Sequence, residues 1–306
     1  MNYTSLRCGT AAAAVAALLA AGCGGGDDAT STLSLALTDA PVDDATTVWV
    51  QFTGVEVKPE AGDAEQFMFS APKGFDLLTL QNGNAAELLG DSTVPAGDYE
   101  WVRLILDPAP GSSYVIDDSG QHDIRIPSGA QTGLKLVRGF TMPAGGRADF
   151  TIDFLLEHSL IAPPGQSPDY LMKPVLRMTN NVETGTITGS FAPATLAAIP
   201  ACTGVAPRVY LFTGAGVTPD DLYNPLEGPP DTAPDVSPLV TTTAALNGAS
   251  EYAYTIAFVQ TGSYTVAFTC DNDDPAVDEN GTTPLVFTVY GQPVTVTAGQ
   301  STTVNF

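Results

Sequence analysis

Apolar positions recur with period two along most of the chain. Leu33, Leu35 and Leu37 alternate with Ser34, Ala36 and Thr38; Phe150, Ile152 and Phe154 alternate with Asp149, Thr151 and Asp153; Tyr252, Tyr254, Ile256 and Phe258 alternate with smaller residues. Successive side chains of a strand point to opposite faces, so each run predicts a strand with one buried face. Between Val48 and Val57 the apolar parity switches at Gly54, from Val48, Val50 and Phe52 to Val55 and Val57, which predicts a β-bulge. Turn residues punctuate the runs at Asn82-Gly83, Pro95-Ala96-Gly97 and Pro143-Ala144-Gly145-Gly146. Beyond the N-terminal region only one helix is predicted, a short one near Asn84 to Leu89. The fold class that follows is all-β, an antiparallel sandwich or barrel.

Two stretches late in each half of the chain echo each other. Met142-Pro-Ala-Gly-Gly-Arg-Ala-Asp-Phe150 is matched by Val296-Thr-Ala-Gly-Gln-Ser-Thr-Thr-Val304, and Ala96-Gly-Asp-Tyr99 by Thr261-Gly-Ser-Tyr264. Two related β-modules would produce both echoes; chance likeness between turn-then-strand patterns is the alternative. The boundary falls between Asn180 and Gly185. Charge changes there as well, since residues 182–306 carry one basic side chain, Arg208, against 12 acidic ones.

The N-terminal residues carry positive charge at the Met1 amine and Arg7, followed by an apolar stretch from about Thr10 to Ala21 and then Gly22-Cys23. This is the order of a secretory signal. The stretch is about a dozen residues, mostly alanine, short of the roughly 20 that span a bilayer. Leu18-Leu19-Ala20-Ala21-Gly22-Cys23 resembles the bacterial lipobox, in which the cysteine after small residues is lipidated and becomes the new N-terminus; Leu sits one place early here. The expectation is a signal peptide over residues 1–22, lipidation (palmitate among the acyl chains) at Cys23 and a flexible tether over 23–32. By resemblance to the sorting rule of enteric bacteria, Gly24 rather than Asp after the cysteine points to the outer membrane.

Cleavage removes only Arg7 among the charged side chains, leaving 11 − 1 = 10 basic and 34 acidic residues, a net charge of −24. Such a chain repels nucleic acid and anionic lipid surfaces. It is not a disordered composition, because 44% of residues are hydrophobic and 25 are Phe, Tyr or Trp. With Cys8 lost and Cys23 lipidated, Cys202 and Cys270 remain, and an oxidising compartment predicts a disulfide between them worth about 4 kcal/mol.

Residues 33 to about 181 resemble a bacterial lipoprotein domain, domain of unknown function 4382. The stretches that carry the likeness are Leu37-Thr-Asp-Ala-Pro-Val-Asp-Asp44, Val48-Trp-Val-Gln-Phe-Thr-Gly-Val-Glu-Val57, Phe75-Asp-Leu-Leu-Thr-Leu80 and Ile126-Pro-Ser-Gly-Ala-Gln-Thr-Gly-Leu-Lys-Leu136, with Phe140 to Phe154 and Lys173-Pro-Val-Leu-Arg177. The resemblance implies a lipoprotein setting and no catalytic residues. Residues 182–306 are more weakly similar to prealbumin-like, carboxypeptidase-regulatory-like modules, which implies a second β-sandwich of the immunoglobulin-like or prealbumin-like kind.

Candidate chemistry is sparse. The two histidines are expected in solvated settings, His122 in the polar hairpin Asp117-Asp-Ser-Gly-Gln-His-Asp123 and His158 at a strand end. Gly90-Asp91-Ser92 resembles a lipase motif by three letters only and lacks a strand-turn-helix setting. The pairs Asp43-Asp44, Asp117-Asp118 and Asp220-Asp221 read as surface carboxylates, because glycosidase chemistry needs two carboxyls at a set separation inside a cleft. Asp271, Asp273, Asp274 and Asp278, in the loop after Cys270, form a candidate calcium site, with a hydrated acidic loop as the alternative; Pro275 and Ala276 break the EF-hand pattern. Asn224 to Pro238 reads as an exposed proline-rich spacer. Trp49 and Trp101 lie in strands, where core packing is the default over sugar stacking.

The expected protein is therefore an acidic lipoprotein of the cell envelope, bound to the membrane through lipid. It would act on a glycan or protein ligand without catalysis and with no required cofactor. A carboxylate-based hydrolase and a passive structural component of the envelope or matrix are the alternatives.

Overall fold

The computed structural model describes residues 29–39, 45–127, 133–161, 169–219, 238–248, 251–271, 287 and 291–306. Strands dominate. The first thirteen are β1 (Thr30–Asp39), β2 (Thr47–Pro59), β3 (Glu65–Asp76), β4 (Ala86–Pro95), β5 (Gly97–Leu106), β6 (Tyr114–Asp117), β7 (Gly120–Arg125), β8 (Leu134–Leu136), β9 (Phe140–Met142), β10 (Arg147–Phe154), β11 (Leu160–Ile161), β12 (Tyr170–Met172) and β13 (Leu176–Asn180). They form a four-stranded sheet, β13-β10-β1-β4, and a nine-stranded one along β11-β12-β7-β6-β2-β5-β8, with β3 added on β2 and β9 on β5. The remaining strands are β14 (Thr184–Ser190), β15 (Arg208–Thr213), β16 (Val240–Thr243), β17 (Ala245–Leu246), β18 (Tyr252–Gln260), β19 (Gly262–Thr269), β20 (Gln292–Val296) and β21 (Ser301–Thr303). These build two four-stranded sheets, β17-β18-β14-β21 and β16-β15-β19-β20.

The predicted alternation is what buries each face. Leu33, Leu35 and Leu37 of β1 and Phe150, Ile152 and Phe154 of β10 join Val48, Val50, Phe52, Val55 and Val57 of β2 in one hydrophobic cluster. Ile187, Val209, Leu211, Tyr254, Ile256, Val266 and Phe268 belong to a separate cluster formed by the last eight strands. The parity switch at Gly54 is a register shift against both β3 and β5. A side chain there would meet the Phe67 carbonyl oxygen at 2.7 Å, so the close approach requires glycine. On β18 the alternation slips at Phe258, which adopts φ 56°, and Val259 takes the buried place instead.

Both echoes seen in the sequence mark one hydrogen-bond framework built twice. Tyr99 donates its hydroxyl to the Pro95 carbonyl at 2.8 Å, and Tyr264 donates to Gln260 at 2.8 Å, each a tyrosine corner that turns the chain from one sheet to the next. The glycine turns are equivalent too. Gly145 N–H donates to the Thr30 carbonyl and Gly299 N–H to that of Thr184, both at 2.8 Å, with φ 64° and 67°. The strand after each turn then pairs parallel with the first strand of its own half, β10 with β1 and β21 with β14. The sandwiches are thus antiparallel with a parallel closing strand.

The helix expected near Asn84 to Leu89 does not form. Asn82-Gly83 is a turn with φ 56° and 82°, and from Ala86 the chain runs as β4, pairing antiparallel with β1. Tertiary pairing overrides the helix-forming composition of Ala85-Ala-Glu-Leu-Leu89. Among the described residues, helical structure is instead confined to single turns at Leu77–Leu80, Leu156–Ser159, Asn181–Glu183, Pro193–Ala197 and Pro200–Cys202. The last of these is bonded through Cys202 to Cys270 at the end of β19.

Candidate functional site

β2 changes partner along its length. Its first residues pair with β6, as Thr47–Ile116, Val48–Val115 and Trp49–Tyr114, and from Phe52 onward it pairs with β5. At the fork the backbone of Gln51 is left to the connecting loop: Asp107 N–H donates to the Gln51 carbonyl at 2.8 Å, and Ser113 Oγ accepts from the Gln51 N–H at 3.4 Å. The same loop borders an opening on its other side, toward β7. This half-open cleft of about 210 Å³ is lined by Asp107, Pro110, Ser113, Asp123 and Arg125 among others.

Beside the fork lies an aromatic row. Trp49 stands at the opposite parity from buried Val48 and Val50, so its indole is on the outer face of the sheet, half-buried. It lies over Gly74, where a Cβ would come within 2.1 Å of the ring. Tyr114, its cross-strand neighbour, is near-parallel to it, with centroids 6.2 Å apart and planes 17° apart. Asp123 follows as the partner of Tyr114 on β7.

Trp101 is buried, as expected of a strand tryptophan, but it packs beneath charged side chains and outside the hydrophobic cluster, so only Trp49 departs from the expectation of burial. The register between β2 and β5 shifts at Lys58/Pro59, so Tyr99 faces the core while Trp101 does not join the hydrophobic cluster. Arg103 and Lys135 cover it at 4.6 and 4.5 Å from the ring centroid, and Arg103 is held by Glu56 at 2.6 Å. Glu56 in turn accepts from Gln66 at 3.0 Å. This ladder ties β2, β3, β5 and β8 together, with Arg103 Nε left as a buried nitrogen without a partner.

His122 lies on β7, just after the hairpin turn, and its ring Nε2 is 2.7 Å from Ser119 Oγ and 3.2 Å from Asp117 Oδ1. A catalytic triad uses one imidazole nitrogen for serine and the other for the carboxylate; here both contacts converge on Nε2. The serine proton goes to Asp117 at 2.7 Å, the reverse of nucleophile activation. Asp117 also accepts from Tyr170 at 2.8 Å and from the Ser119 and Gly120 amides. The hydrogen bonds from Ser119 and then Tyr170 hold its carboxyl well below the usual carboxylate range. The cluster ties β12 to the hairpin and is poorly suited to accept a proton.

Gly90-Asp91-Ser92 sits within β4, with Asp91 bound to Arg147 at 2.6 Å and Ser92 Oγ donating to the Gly90 carbonyl. Cys202 and Cys270 form the expected disulfide. Asp271 follows it, its backbone N–H donating to Thr269 Oγ1 at 3.0 Å. Asp273, Asp274 and Asp278 lie outside the described residues, as do Cys23, Asp43-Asp44, Asp220-Asp221, residues 224–237 and the side chain of His158. Among the described residues no three His, Cys, Asp or Glu side chains cluster as metal ligands, and no helix is long and apolar enough to cross a membrane.

These features define an all-β protein of sandwiched sheets whose open outer face carries an aromatic row and a cleft. Residues 30–174 match the family model described as "Domain of unknown function (DUF4382)", so such a domain is present over that span. No curated protein matches the chain. Among solved structures the chain is similar, at 11% identity and a TM-score of 0.21, to a leucine-rich repeat protein from Bacteroides thetaiotaomicron, over 90% of this chain and 26% of that one. It is similar to the minor pilin of Streptococcus agalactiae at 10% identity and a TM-score of 0.21, over 89% and 94% of the two chains. For the major pilin subunit of Bacillus cereus the values are 10% and 0.21, over 90% and 69%. The chain spans only 26% and 34% of the first two structures matched. At such scores these likenesses carry no functional argument.

Proposed function

We propose that the chain is an envelope lipoprotein that acts by binding. In this reading it is cleaved before Cys23, held at the outer membrane by acyl chains on that residue, and divided into β-modules over residues 33–181 and 182–306. The observation that carries a binding role is the forked sheet: an open face on a rigid scaffold, with half-buried aromatic and exposed charged groups beside a cleft and, among the described residues, no arrangement beside it that activates a nucleophile. The lipobox-like Leu18 to Cys23 supports the anchor, and the absence of any hydrophobic cluster shared by the two halves, among the described residues, supports the two modules.

The test is metabolic labelling with an alkynyl palmitate together with protease shaving of intact cells. Label on the wild type and none on Cys23→Ala, with the variant shifted to the soluble fraction, is the expected result. Equal membrane recovery of both forms would refute the anchor. Shaving then decides whether the modules face the surface or the periplasm.

A further inference from the structure

We propose that the row formed by Trp49, Tyr114, Asp123 and Arg125, continued by the cleft that Asp123 and Arg125 line, is a binding site for a neutral β-linked oligosaccharide. This rests on the reading of the chain as a binding protein and names its ligand class. Trp49 and Tyr114 present two near-parallel rings on the outer face. A pyranose has one face lined by C–H bonds, which gains by leaving water against an aromatic ring, and an equatorial rim of hydroxyls that needs planar donors and acceptors.

The rim groups are in place. Asp123 is the cross-strand neighbour of Tyr114, Arg125 follows on the same outward parity, and both line the cleft. Among the described residues Asp123, Arg125, the Gln51 side chain, the Tyr114 hydroxyl and the Trp49 indole N–H have no protein hydrogen bond or ion pair, unlike the ladder around Trp101. A carboxylate and a guanidinium suit vicinal hydroxyls, each offering two acceptors or donors in one plane. The aromatic pair has polar neighbours instead of an apolar rim, which does not fit the desolvated centre of a protein interface. The net charge of −23 disfavours an anionic polymer. The row crosses β2, β6 and β7, about 10 Å at the ordinary strand spacing.

The test titrates the full mature chain calorimetrically with cellohexaose and with N-acetylchitohexaose, while following indole emission. Binding of at least one sugar is expected, weakened about tenfold or more by Trp49→Ala and severalfold by Arg125→Ala. Trp101→Phe, on β5 beside the far end of β2, should bind as the wild type does. Because Arg125 and Asp123 are exposed, Arg125→Ala and Asp123→Asn keep the fold and decide the matter even if Trp49→Ala does not fold. Absence of binding to both sugars, or binding unchanged in Arg125→Ala and Asp123→Asn, overturns the proposal. If purified chain still sediments with envelope fragments in that case, the binding role stands and only the ligand class falls; if it does not, both fall.

Discussion

Tyr99 shows how much one side chain carries here. Its ring stacks on Phe140 with centroids 5.0 Å apart, and its hydroxyl reaches back four residues to Pro95. Replacing it with Phe keeps the ring and strands the carbonyl, an expected loss of about 1 kcal/mol in urea denaturation. Burial, and then the negative charge of Glu65, push the Tyr99 phenol up to about 12. The unfolded chain releases that proton near pH 10, so the contribution is fully present below about pH 10 and is lost as pH rises through about 12. Thermal melts between those values should fall less steeply for Tyr99→Phe than for the wild type. Core packing was expected for Trp49, although its odd parity among Val48, Val50 and Phe52 marks the outer face. Trp101 is buried as expected, but its place outside the hydrophobic cluster was not legible, because the register shift at Lys58/Pro59 reverses parity without a glycine to announce it.

At the level of elements, β13 is an edge strand fastened to β10 by a buried pair, Arg177 and Asp153, 2.6 Å apart. Burial raises the Asp153 pKa, with the nearby guanidinium pulling it the other way. Arg177→Ala leaves a carboxyl without its partner in that site and should cost about 3–5 kcal/mol, whereas Asp153→Leu combined with Arg177→Met should recover most of the loss. A double-mutant cycle by chemical denaturation measures both. Neither the pair nor the fork in the sheet could be read from the sequence, because each depends on which strands become neighbours. Strand identity was readable from alternation, and the two echoes identified the corner and the closing turn of each half. The failure at Asn84 to Leu89 has the same origin: helix-forming residues there are claimed by pairing with β1.

For the whole molecule, one hydrophobic cluster in the first half, two in the second and a disulfide within the second predict separable unfolding. Scanning calorimetry should resolve two transitions, and reduction should lower only the one belonging to residues 182–306. Cys202 and Cys270 are 68 positions apart, and opening that loop costs about 4 kcal/mol, on the order of 15 °C in Tm. The half that contains only Arg208 as a basic side chain is also the one whose transition should rise more with added salt, as screening relieves its self-repulsion.

β1 lies between β4 and β10, with Thr30 beside Pro95 at one end and Asp39 beside Phe154 at the other. The forked face around Trp49 is at the Asp39 end, since β2 reaches the tyrosine corner only at Pro59. A pull on the chain ahead of Thr30 therefore runs along β1 and away from the fork. Its hydrogen bonds to both neighbours are loaded in shear together, instead of being peeled one at a time, so this arrangement of strands resists mechanical extension from its N-terminal side.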